Sequence, residues 1–195
     1  NFSNKHTVVD GANDNLSANF TATSVLKTMQ EQGIEFENTE VCALMAGSEE
    51  AGLRGAYAFS KAHAEEIKNS GIETVFVVLE TLKESDKLGV YDKDMCATVA
   101  TNLEVCDLVQ RAAVEVGAIK EGSKYQFVGI GATDAAAFSQ YGLKATCLAG
   151  LDHKLRDYYH TRKDTVGNTS PECIELAYKT CMRTLEIFDK EGLKK

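Results

Sequence analysis

The stretch ETVFVVLET, residues 73–81, constrains the fold most. Its apolar run from Val75 to Leu79 is too short for a helix of its own and rich in β-branched and aromatic side chains. That is the pattern of a strand covered on both faces. Further strand-like runs are VCALMA at 41–46, YQFVGIG at 125–131 and KATCLAGL at 144–151. Between them lie segments with helical spacing: residues 15–31, 51–70, 95–117, a short helix from Thr133, and a last helix from Pro171 to about Lys190. Gly71 stops the second helix, and Pro171 suits a first helical position. Strands alternating with helices predict a three-layer α/β/α domain with a mostly parallel or mixed sheet. No linker or internal repeat divides the chain, so residues 1–195 read as one domain.

The chain carries a net charge of −8. An acidic surface repels phosphate backbones, which disfavours nucleic acid as a partner. No apolar run reaches the ~18–20 residues that a membrane span needs. Six cysteines, Cys42, Cys96, Cys106, Cys147, Cys173 and Cys181, lie in apolar segments without a CxxC pair. This spacing fits neither a zinc knuckle nor a disulfide scaffold, and buried free thiols in a reducing cytoplasm are expected. The first residues show no signal-peptide core, although a leader removed earlier would leave no trace.

In open α/β sheets, ligands gather beyond the carboxyl ends of the strands. Glu49 and Glu50 follow the run at 41–46, Glu80 ends the strand at 73–81, and His160 lies in the loop after 144–151. Asp14, in DGANDN, stands at the entrance of the first helix. Each has a bland reading: Asp14 as a helix cap, the paired glutamates as first-turn acids facing the helix dipole, His160 as a hydrogen-bonded loop histidine. Glu80 resists one, because an unpaired carboxylate in an apolar strand is costly. Together the four acids and one histidine predict a zinc site, since the cation removes their mutual repulsion. An open zinc position activates water, and a neighbouring carboxylate can take the proton. The adjacent glutamates then divide the work, one for the metal and one for the proton.

GANDN, GSEEAGLRGA, the acid ending the next strand, GATDAAAF and YHTRKDT resemble, in order, the zinc aminopeptidases with a co-catalytic metal pair. The resemblance covers nearly the whole chain and extends to the related glutaminyl cyclases. It implies Asp14 as the bridging ligand of two zinc ions, Glu49 as general base and acid, Glu50 and His160 as ligands of one zinc, and Glu80 as ligand of the other. Asp134 would line the substrate pocket, with a helix N-terminal turn as the alternative, while Tyr159 and Asp164 would support the histidine or serve as turn and surface residues. The implied activity is release of N-terminal residues from peptides. A single-zinc acyltransferase of the glutaminyl-cyclase kind, or an inactive peptidase-like domain that binds a partner, are the alternatives. The family's His-x-Asp motif upstream of the bridging aspartate has no counterpart, and His6 does not match it. A piece of a longer protein is therefore expected, whose exposed sheet edge would allow self-association into a homo-oligomer.

Overall fold

A computed structural model describes residues 8–152, 154 and 158–193. The helices are α1 (Ser17–Gln32), α2 (Arg54–Asn69), α3 (Leu103–Glu115), α4 (Asp134–Gln140) and α5 (Pro171–Glu191). The strands are β1 (Val75–Leu82), β2 (Gly89–Asp94), β3 (Val99–Ala100), β4 (Gln126–Phe127) and β5 (Lys144–Gly150). Pro171 opens α5, where the Ser170 side chain accepts the Cys173 backbone N–H. Gly33 ends α1 in a left-handed conformation. Both are the terminators that backbone sterics favour.

The sheet order is β1-β5-β2-β3, with β4 also paired to β2. β1 and β5 run parallel, whereas β2 is antiparallel to β5 and to β3. The sheet is thus mixed. Alternation along β1 explains the layering: Val75, Val77 and Leu79 join a core with α1, α3 and α5, while Phe76 and Val78 join a second core with α2 and α4. Leu82, Leu148 and Ile187 are fully buried in the first core, each contributing roughly 1.5–3 kcal/mol of burial. In the second, Phe76 and Phe138 stack with ring centroids 4.6 Å apart.

Three local expectations are corrected. Residues 41–46 join no sheet ladder, and Leu44 and Met45 stay 43% and 47% exposed. An apolar run makes a strand only when a neighbouring backbone accepts its hydrogen bonds, and the outer edge of β1 has no strand partner among the described residues. Residues 95–102 are not helical: Met95, Cys96 and Ala97 turn through positive φ and lead into β3. Cys42 and Cys96 are exposed, leaving Cys106, Cys147 and Cys173 as the buried thiols.

Because β1 and β5 are parallel neighbours, their carboxyl ends coincide; Glu80 pairs in register with Ala149. The loop leaving β5 therefore passes the end of β1, and this brings distant parts of the sequence to one place.

Candidate metal centre

Three turns supply the site. The first, Ala12–Leu16, is a kinked turn before α1 in which Asp14 is non-helical (φ −116°, ψ 87°). Gly11 enters it at φ 67°, and a Cβ there would lie 2.8 Å from the Asp14 carbonyl oxygen. The second is a single turn at Glu49–Ala51 before α2. Here the Gly55 N–H donates to the Gly47 carbonyl at 2.9 Å. A Cβ on Gly55 would stand 2.4 Å from that oxygen, so only glycine lets α2 approach this closely. The third turn carries His160 at φ 54°.

The imidazole Nε2 of His160 lies 2.9 Å from Asp14 Oδ2 and 2.9 Å from Glu50 Oε1. A single N–H would have to divide its proton between the two carboxylates, whereas a cation placed among the three ligand atoms faces all of them. The three ligand atoms lie within 4.8 Å of one another, and one histidine with two carboxylates suits zinc. Asp14 is the best shielded, with its side chain 10% exposed against 45% for His160. Tyr159 stacks on the imidazole, ring centroids 3.9 Å apart at 16°.

Electrostatics mark the same place. Burial, then Glu50, pushes the Asp14 carboxyl up to about 6. Burial, then Glu50 and Asp134, pushes Glu49 up to about 8. Burial and Asp14 raise Glu80 well above its ordinary value. Part-buried, mutually repelling carboxylates of this kind are the surroundings that a bound cation would relieve.

Not every predicted residue joins the triad. Glu80 is held aside: its Oε2 accepts from Asn15 Nδ2 at 3.1 Å and its Oε1 from the Thr81 hydroxyl at 2.8 Å. Glu49 is close enough to Glu50 and Asp14 to feel their charge but is not among the three convergent donors. Asp134 opens α4, and its buried Oδ1 has no hydrogen-bond partner among the described residues. Burial, then Asp94, pushes it up to about 6. Asp164 is buried and bonded to the Asp14 turn, not to His160. His63 faces Glu66 on α2, and His6 and His153 lie outside the described residues.

Sequence reasoning missed Asn15 and Asp94. Asn15 spans the site edge, donating to Leu79 O and Glu80 and accepting from the Thr81 N–H. Its only signal was its place beside Asp14. Asp94, fully buried, accepts from the Thr133 N–H and hydroxyl at 2.9 and 2.6 Å and so anchors the start of α4. Nothing in YDKDMC distinguishes it from a surface acid.

Carboxylates and a histidine gathered at the strand ends of an α/β/α domain make a candidate metal centre, and comparison with known proteins gives the family of the chain. The profile of Peptidase family M28 matches residues 3–185, and the chain belongs to that family. It is 30% identical over 131 residues to a vacuolar membrane protease of Candida glabrata, covering 65% of this chain and 12% of that protein. Among solved structures, it resembles BSAP, a zinc aminopeptidase from Bacillus subtilis, with a TM-score of 0.70 at 20% identity, over 96% of this chain and 43% of that one. It also resembles a glutaminyl cyclase from an Acidobacteriales bacterium, with a TM-score of 0.54 at 16% identity, over 71% of this chain and 46% of that one. The chain thus spans less than half the length of each of these relatives. No described helix is long and apolar enough to cross a membrane.

Proposed function

We propose that this domain is the catalytic part of a zinc-dependent exopeptidase that removes N-terminal residues from peptides. The observation that carries the reading is the meeting of His160 Nε2 with Asp14 and Glu50 at 2.9 Å each, with Glu49 beside them. Asp14, Glu50 and His160 would hold the ion. When bound, zinc supplies Lewis-acid activation of a peptide carbonyl and of water.

Glu49 is the general base and acid. Its half-buried, acid-rich surroundings raise its affinity for a proton, which suits a group that takes a proton from water and returns it to the leaving amine. Asp134, close enough to Glu49 to feel its charge, is the acid assigned to the α-amino group of the substrate. Glu80 faces Asp14 electrostatically and is the residue for a second ion.

One observation favours a second reading. Among the described residues three ligands converge, while Asn15 and Thr81 occupy both oxygens of Glu80, and a one-zinc set is what the resemblance to glutaminyl cyclases implies. Incubating the zinc-loaded protein with a free peptide, its N-acetylated form and a peptide beginning with glutamine separates the possibilities. Stepwise release of N-terminal residues from the free peptide alone is expected. Ammonia release from the glutamine peptide without hydrolysis would favour the cyclase reading, and no turnover with zinc bound would leave a binding domain.

A further inference from the structure

Asp14 and His160 lie at opposite ends of the sequence, and the structure contains a device that joins them. Asp164, four residues after His160, is 1% exposed. Its Oδ1 accepts the Asn13 backbone N–H at 2.7 Å and the Asn13 Nδ2 at 2.8 Å, and its Oδ2 accepts the Asp14 N–H at 3.1 Å. Its own carbonyl accepts the Ala12 N–H at 3.4 Å. Three consecutive amides of the Asp14 turn therefore end on this one residue.

The other end of the brace is fixed to the His160 turn. The Asp164 N–H donates to Thr161 O at 3.1 Å, and the Thr161 N–H donates to Tyr158 O at 3.0 Å, so the turn closes around His160. Asn13 Nδ2 also donates to Asn168 O, which Lys83 Nζ holds from the end of β1 at 2.5 Å. A buried carboxylate is tolerated where several donors replace its lost water, and it binds them more strongly than a neutral acceptor does. An amide cannot replace it without turning an NH2 group toward N–H donors.

We propose that Asp164 is a positioning residue: it sets the spacing of Asp14 and His160 before any ion arrives, and so sets the affinity for zinc. This rests on the metal site proposed above. Asp164 touches neither ion nor substrate; it acts through the backbone of Asp14.

The test compares zinc dissociation constants, from competition with a chromophoric chelator, for the wild type, Asp164→Asn and Ile187→Ala. Ile187 is buried in the helical core and remote from the site, so Ile187→Ala lowers stability without touching the brace. Asp164→Asn is expected to bind zinc about 10–100-fold more weakly, and Ile187→Ala within twofold of the wild type. Asp164→Asn within twofold of the wild type, or both variants weakened alike, would overturn the inference while leaving the zinc site standing. A wild type that binds no zinc would instead remove the proposed function, and this inference with it. Should Asp164→Asn not fold, amide exchange in the metal-free wild type decides. Asn13 and Asp14 amides protected like those of α1 support the brace, and unprotected ones refute it.

Discussion

His160 Nε2 stands 2.9 Å from Asp14 Oδ2, although one residue precedes the first helix and the other follows the last long strand. Parallel pairing of β1 with β5 accounts for the meeting, because it delivers the loop after β5 to the end of β1 and the turn beside it. The chemistry of the site follows from this topology.

Glu49→Gln should separate metal binding from turnover. The amide preserves shape but cannot carry a proton, and general-base catalysis contributes about 10²–10⁴-fold. Metal content and kcat measured together are expected to show zinc retained and kcat reduced by that factor. Full activity in the variant would remove Glu49 from its role.

The metal-free protein should lose stability as pH rises from about 5 to 8. Glu49 is pushed up to about 8, Asp14 and Asp134 to about 6, and burial raises Glu80 well above its ordinary value. In the unfolded chain these groups ionise near 4. The folded state thus keeps protons that the unfolded state has released. Stability is complete below the unfolded values and falls through the folded ones. Glu115 and Asp189 are shifted downward and act below this window. Thermal unfolding from pH 5 to 8.5 should show a falling Tm, with zinc flattening the fall. A Tm that rises over this range would contradict the assignment.

Tyr159 should matter through its ring. Stacked 3.9 Å from the imidazole, it holds His160 in a left-handed turn. Tyr159→Phe is expected to bind zinc as the wild type does, and Tyr159→Ala about tenfold more weakly, the range of an aromatic contact. Chelator competition measures both. Equal affinities would assign the ring to substrate contact.

Gly55→Ala should disturb the glutamate turn. The new methyl would meet Gly47 backbone atoms at 2.4 and 2.6 Å, and overpacking of this kind costs about 1–3 kcal/mol. Urea unfolding should register that loss together with weaker zinc binding, since Glu50 lies on the displaced turn. Unchanged stability would show that α2 can shift freely.

Much of this was legible in the sequence because it is local. ETVFVVLET announces a covered strand, and each of the five helices was legible, the third with its start placed at 95 and not at Leu103. The site acids announced themselves by being costly where they stand. What escaped depends on distant partners. Residues 41–46 have a strand's composition but no ladder, and residues 95–102 have helical spacing but are drawn into a turn whose neighbour, Asp94, binds Thr133. Asp164 was legible as a support but not as a clamp on Asp14, because the donors it satisfies are backbone amides from the other end of the chain.

The central claim is that Asp14, Glu50 and His160 form a zinc site. Calorimetric titration of the metal-free protein with zinc, alongside His160→Ala, tests it most directly. Saturable binding by the wild type and at least a hundredfold loss in the variant are expected, because two carboxylates alone hold zinc poorly. No binding by the wild type, or equal binding by His160→Ala, would contradict it.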